Sequence, residues 1–188
     1  NQTQLQAALA SFEGDFAKAI SLANFENQTE AWNNAQLLHL NKRSKEALVI
    51  YRKLVPELFV EPPVPGTSLY PGDTVAVADA LISTGAVKQA NTLLRMGIKE
   101  AASLPIAGSL GRRWTEVYGY ALLSEYDNAC KALAEAADIG YFQNHTVLAV
   151  DPALAKLRQQ PCFEKQYGRI QAQAEAQVAA ARRAGLLP

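Results

Sequence analysis

The chain has 188 residues, of which 49% are hydrophobic, and its 18 basic residues balance its 18 acidic residues. This apolar content is sufficient for a packed core and excludes a disordered chain. Because binding to nucleic acid or to an acidic membrane depends on a positive surface, the neutral balance argues against both as the main partner.

A spacing of twelve residues between two small apolar residues recurs along the chain. The pairs are Ala7/Ala19, Ala35/Ala47, Ala78/Ala90 and Val117/Ala129. The expected turns midway between them are Gly14-Asp15, Lys42-Arg43, Gly85-Ala86 and Ser124-Glu125. Small residues let two helices approach closely, so the pattern predicts helical hairpins that stack on one another.

The hairpins are expected over residues 2–26, 29–55, 74–102 and 112–139. Leu5, Leu9 and Phe12 are expected to form the apolar stripe of the first helix. Ser44 is expected to cap the fourth helix, where Tyr51 belongs to the buried stripe. The spacing from one hairpin to the next is irregular, which indicates degenerate repeats.

Prolines interrupt this pattern between residues 56 and 71, a stretch that holds five of the nine prolines. Proline lacks a backbone N–H group and clashes inside a helix, so a long loop is expected here. Such a loop either carries function or bridges two irregular repeats, and the sequence leaves both alternatives open.

The C-terminal part has signals of its own. Gly140 is expected to end a helix in the left-handed conformation. Asp151 and Pro152 are expected to begin a short helix, and Pro161 to open the last one. Residues 151–185 therefore read as the cap of the array. The alternative is that the alanine- and glutamine-rich residues 171–183 pair with a second copy of the chain and form a homodimer.

Two segments resemble known repeat modules. Residues 85–90 (GAVKQA) and 124–129 (SEYDNA) resemble the helix–helix turn of tetratricopeptide repeats. The ending, from Gly140-Tyr141 through DPAL at 151–154 to LRQQPCF at 157–163, resembles the closing module of bacterial arrays of this type. Such endings are found in membrane-anchored winged-helix regulators of the CadC/ToxR type and in some kinases and cyclases.

Together with the spacing, this resemblance implies an all-α fold, a right-handed superhelix of about four degenerate hairpins with a C-terminal capping helix. This sequence departs from the pattern at Gln160, where an acidic residue is usual. It contains no winged-helix, kinase or cyclase segment.

Residues typical of catalysis are scarce. The only histidines are His39, on a repeat helix, and His145, which is expected in a solvated polar loop. No catalytic, cofactor or metal motif appears, so a non-enzymatic chain without a cofactor is expected. Cys130 and Cys162 lack metal-ligand spacing. They are either two buried thiols or one disulfide, and the disulfide would require an oxidising compartment.

The expected binding surface is a concave groove, because the first helix of each stacked hairpin lines the inner face. By that register the groove contains Trp32, Gln36, His39, Asp79, Arg112, Trp114 and Tyr118. Tryptophan and tyrosine are frequent anchors in binding sites. For Trp32 the alternative is a packing role. For Arg112 and Arg113 the alternatives are an anion site and simple solvation.

These patterns favour a protein-interaction or signal-sensing module that docks a peptide or small ligand in the groove. The chain begins with Asn1 rather than Met, so we expect a piece of a longer protein. The resemblance implies the periplasmic part of a bacterial transcriptional regulator, attached to the membrane only through a segment outside this chain. The alternatives are a free-standing cytoplasmic adaptor or scaffold and a regulatory appendage of a kinase or cyclase.

Overall fold

A computed structural model of the chain describes residues 2–25, 30–64, 72–104, 110–140 and 145–186. The α-helices in these ranges are α1 Gln2–Phe12, α2 Phe16–Leu22, α3 Ala31–Leu40, α4 Ser44–Leu54, α5 Gly72–Ser83, α6 Val87–Ser103, α7 Leu110–Leu122, α8 Tyr126–Asp138, α9 His145–Val150 and α10 Pro161–Arg183. Short 3₁₀ helices span Pro56–Phe59, Pro152–Leu154 and Leu157–Gln159. The described residues contain no strand, and the all-α fold class is confirmed.

Helices that follow one another in the chain pack together. Helix α1 packs against α2, α3 against α4, α5 against α6, and α7 against α8. The small residues of the twelve-residue pattern are buried, with Ala7 only half-buried. The fully or almost fully buried members are Ala19, Ala35, Ala47, Ala78, Ala90, Val117 and Ala129. Their lack of bulk lets the paired helices come close, which is the reason the spacing predicts these positions.

Every hairpin turns at the place that the sequence predicts. The turn residues Gly14, Lys42, Gly85 and Ser124 have φ angles of 79°, 61°, 87° and 61°. The residue that follows each turn residue donates its backbone N–H to a carbonyl oxygen five residues before it in the chain. These four hydrogen bonds are 2.8 to 2.9 Å long. This left-handed ending satisfies carbonyl groups that the last helical turn leaves without partners.

Gly85 offers a clean test of this turn, because a Cβ added there would meet no heavy atom within 4 Å. We expect Gly85→Ala to lower the free energy of unfolding by about 1 to 2 kcal/mol through backbone strain alone. Gly168 in α10 has equally open surroundings without a positive φ. Gly168→Ala is expected to raise stability by about 0.5 to 1 kcal/mol. Urea unfolding measures both, and equal effects would contradict the strain argument.

Two predictions on local helix signals were wrong. Ser44 does not cap α4: it is the first residue of that helix, and Arg43 occupies the N-cap position. The Ser44 hydroxyl contacts His39 instead. His145 does not lie in a solvated loop, because it begins α9 and is half-buried.

The stripe predicted for α1 was also wrong. Leu5, Leu9 and Phe12 are 63%, 50% and 41% exposed, whereas Ala10 is buried. The buried position of α1 is thus a small residue, and Leu5 and Leu9 lie on the exposed face of this helix.

The C-terminal signals are confirmed. Gly140 has a φ of 71°, the Asp151 side chain accepts a hydrogen bond from the Ala153 N–H group, and Pro161 opens α10. Cys130 of α8 and Cys162 of α10 form a disulfide, with their Cα atoms 6.0 Å apart. This link fixes the last helix to the fourth hairpin.

The chain also returns towards its beginning. Helix α9 packs against α1, and a Cβ added at Gly14 would lie 3.2 Å from the Cβ atom of Val150. The segment after the fourth hairpin thus contacts the first hairpin. None of the helices in the described ranges has the length and apolar character needed to cross a membrane.

Candidate functional site

A cavity of about 590 Å³ lies among the first helices of the hairpins. Its wall is formed by α1, α3, α5 and α7, with contributions from α2, α4 and α9. The apolar lining includes Ala8, Phe12, Leu37, Val75, Trp114 and Val147. The polar lining includes Glu30, Asn33, Asn34, Gln36, His39, Asp79 and Asp151. A concave space of this size, mostly apolar with a few convergent polar groups, is typical of a ligand site.

Most of the residues predicted for the groove come together around this cavity. Its lining includes Gln36, His39, Asp79, Trp114 and Tyr118. These residues come from three different helices, so their proximity depends on the stacking of the hairpins.

Two of the predicted groove residues are not placed there. Trp32 packs against Tyr51, with the ring centroids 4.8 Å apart. It therefore has the packing role that the sequence left open as the alternative to a binding role. The side chain of Arg112 lies outside the described part of the chain.

The imidazole of His39 is held on both sides. Asp79 Oδ2 lies 2.8 Å from His39 Nε2, and Ser44 Oγ lies 2.9 Å from Nδ1. Because a carboxylate only accepts hydrogen bonds, Nε2–H donates to Asp79. Ser44 is buried and is not part of the cavity lining. The arrangement therefore orients the imidazole and does not present the serine hydroxyl to the cavity.

A second carboxylate reaches the cavity from the C-terminal part of the chain. The Tyr118 hydroxyl donates to Asp151 Oδ2 at 3.0 Å, and the Ala153 N–H donates to Oδ1 at 2.9 Å. Burial raises the pKa of the Asp151 carboxyl; these two hydrogen bonds oppose the rise, and the charge of Asp79 adds to it. The Asp151 carboxylate is thus held in place but poorly solvated.

This raised pKa predicts a pH dependence of stability. The folded state keeps the Asp151 proton at a pH where the unfolded chain has lost it, so stability falls as pH rises from the unfolded pKa to the folded one. We expect Asp151→Asn, which does not titrate, to remove this fall. The test is the free energy of unfolding of both proteins from pH 3 to pH 8, and parallel curves would contradict it.

Other charged groups lie near Asp151 and also influence how stability depends on pH. Asp79 and His39 act on its pKa through their charges. The guanidinium of Arg158 donates to the main-chain carbonyl of Asp151 at 2.7 Å and to that of Leu148 at 3.2 Å. It is not part of the cavity lining.

Tyr51 is a cavity residue that the sequence reasoning missed. It lines the cavity and is fully buried, and its hydroxyl has no hydrogen-bond partner among the described residues. Burial raises the pKa of this phenol, and the charges of Asp79 and Asp73 raise it further, so the hydroxyl keeps its proton. The sequence did contain a signal for this residue, because a tyrosine stands in an otherwise apolar stripe. A buried hydroxyl normally has a hydrogen-bond partner, so this tyrosine was a candidate for a polar contact.

The proposed anion site at the start of α7 is not supported at Arg113. Its guanidinium forms ion pairs with Glu116 of the same helix and with Glu135 of α8. Arg113 is 9% exposed and Glu116 is 6% exposed, so this cluster links two helices inside the protein. In the described ranges, no group of His, Cys, Asp and Glu side chains is arranged to hold a metal ion.

Comparison with protein-family models, curated proteins and solved structures finds no match to this chain. A functional assignment therefore depends on the geometry and chemistry of the cavity.

Proposed function

We propose that the chain is a non-enzymatic sensing or interaction module with a tetratricopeptide-like, right-handed superhelical arrangement. It binds a small ligand or a peptide side chain in the cavity and serves as the sensor part of a bacterial transcriptional regulator. The observation that carries the proposal is the composition of the wall, because one cavity is lined by the first helix of each hairpin.

The aromatic residues of α7 support a binding role. Trp114 and Tyr118 pack with ring centroids 4.4 Å apart, and both line the cavity. Rigid aromatic side chains bury a large area at a small entropic cost and are common anchors in recognition sites. A ligand there would contact helices that are distant in the sequence and would stabilise their packing against one another.

Ligand binding is tested by filling the cavity. Ala76→Phe adds bulk to the cavity wall, and Ala180→Phe adds the same bulk on the exposed part of α10. A panel of small amines, carboxylic acids, sugars and short peptides is screened by thermal unfolding. We expect at least one compound to raise Tm in the natural chain and the Ala180 variant but not in the Ala76 variant. Equal shifts in all three proteins would place binding elsewhere.

The disulfide between Cys130 and Cys162 supports a periplasmic location, because disulfides persist mainly in oxidising compartments. Cell fractionation with an antibody to this chain tests this part of the proposal. A membrane band well above 20.4 kDa supports the regulator. A soluble band near that mass favours a free-standing adaptor, and a membrane-free larger protein with nucleotide-dependent activity favours an appendage of a kinase or cyclase.

A further inference from the structure

The charged groups of the cavity lining are mainly of one sign. Its carboxylates are Glu30, Asp79 and Asp151, and no lysine or arginine belongs to the described lining. His39 is the one basic group there, and it is already paired with Asp79. The lining therefore has three acidic side chains and one basic side chain among its described residues.

The unmatched hydroxyl of Tyr51 is an independent observation at the same cavity. This oxygen is buried and has no hydrogen-bond partner in the part of the chain that the structure describes. An unsatisfied buried hydroxyl costs about 1 to 3 kcal/mol. A ligand in the cavity that displaces the side chains covering the phenolic oxygen and donates an N–H hydrogen bond to it would remove this cost.

We propose that the cavity binds an organic cation, an ammonium or guanidinium group attached to an apolar chain. Asp79 and Asp151 supply the counter-charges, Tyr51 accepts a hydrogen bond from the cation, and the apolar chain packs against Trp114. The cation belongs either to a free amine or to a lysine or arginine side chain of a peptide. This inference rests on the proposed function of the cavity and adds the chemical class of its ligand.

Three properties of the cavity favour a cation over a neutral or anionic ligand. A carboxylate that is partly removed from water attracts a positive charge much more strongly than an exposed one. An aromatic face such as that of Trp114 adds a favourable interaction with a cation. An anion would have to approach Asp79 and Asp151 with no described cation in the lining to hold it.

The test compares three probes of equal length that differ in charge: n-pentylammonium, pentanol and pentanoate. Binding to the full chain is measured by isothermal titration calorimetry at neutral pH and low salt. We expect pentylammonium to bind at least tenfold more tightly than pentanol, with pentanoate weakest. Asp79→Asn is expected to weaken pentylammonium binding at least tenfold, and Tyr51→Phe several-fold. The matched control Asp127→Asn, at an exposed site on α8, is expected to change it less than twofold.

The outcomes separate this inference from the proposed function. If pentanol or pentanoate binds as tightly as pentylammonium, the cation assignment is wrong and the cavity remains a binding site. If none of the three probes binds, the cation assignment fails, and the wider panel screened against Ala76→Phe decides whether the proposed function fails with it. Circular dichroism confirms that each variant folds, and Tyr51→Phe keeps the test informative if Asp79→Asn does not fold.

A second arm identifies the source of the cation. The probes are a blocked tripeptide with a central lysine and the same peptide with norleucine at that position. Tighter binding of the lysine peptide than of pentylammonium indicates a peptide ligand, and weaker binding indicates a free amine. If the norleucine peptide binds as well as the lysine peptide, peptide backbone contacts dominate and the cation assignment is contradicted.

Discussion

Replacing Arg113 by alanine is expected to lower the free energy of unfolding by about 3 to 5 kcal/mol, because it leaves a buried carboxylate without its counter-charge. Arg113 pairs with Glu116 and Glu135 and thereby joins α7 to α8. Glu116 is itself buried. The measurement is urea unfolding followed by circular dichroism, with the disulfide intact in all proteins.

A double variant separates the loss of charge pairing from the loss of packing. Arg113→Met with Glu116→Gln removes the two buried charges and keeps similar side-chain volumes, and it leaves only Glu135, whose side chain is 36% exposed. We expect it to recover at least half of the stability lost in Arg113→Ala, since replacing a whole buried pair is often nearly neutral. If Arg113→Ala changes stability by less than about 1 kcal/mol, the pair is effectively solvated and this account of the α7–α8 contact is incorrect.

Removal of the disulfide is expected to have a similarly large effect. Cys130 and Cys162 are 32 residues apart in the sequence, and closing a loop of that length stabilises a folded chain by roughly 3 to 4 kcal/mol. We expect Cys130→Ala with Cys162→Ala to lose that amount in urea unfolding without reductant. The loss arises mainly because the unfolded chain gains freedom.

The reductant dithiothreitol provides the control for this prediction. It should lower the stability of the natural chain by about as much as the double substitution and should leave the double variant unchanged. Equal stability of the natural chain with and without dithiothreitol, together with free thiols in the folded protein, would show that the two cysteines are not bonded. The proposal of a periplasmic location would then lose the support of the disulfide.

Local features of the fold were predictable because each depends on a few neighbouring residues. The positions of the turns at Gly14, Lys42, Gly85 and Ser124 follow from the midpoint of the twelve-residue spacing. The buried alanines follow from the need for small residues where paired helices touch. Asp151 was predicted as a helix cap for the same reason, since the Asp-Pro pair is a local signal.

The composition of the cavity depends on long-range packing and was predicted only in part. The register of the first helices correctly predicted that Gln36, His39 and Asp79 lie around one concave space. It could not place Asp151, which reaches the cavity because the chain returns to α1 through α9. Tyr51 was assigned to the apolar stripe, and only the three-dimensional arrangement shows that its hydroxyl has no partner among the described residues.

The exposed face of α1 shows a different limit of sequence reasoning. Helical spacing of Leu5, Leu9 and Phe12 predicts an apolar stripe, but it does not say which side the paired helix covers. The structure shows that Ala10 is the buried position of α1 and that Leu5 and Leu9 are exposed.

The measurement that tests the central claim most directly is nuclear magnetic resonance of the two tryptophan indole N–H groups during titration with pentylammonium. Trp114 lines the cavity. Trp32 packs against the ring of Tyr51 and is not part of the cavity lining. Trp32→Phe assigns the two signals. Binding in the cavity predicts a saturable shift of the Trp114 signal and a much smaller shift of the Trp32 signal. A saturable shift of Trp32 alone, or binding by calorimetry with neither signal shifted, would contradict the claim that the cavity is the binding site.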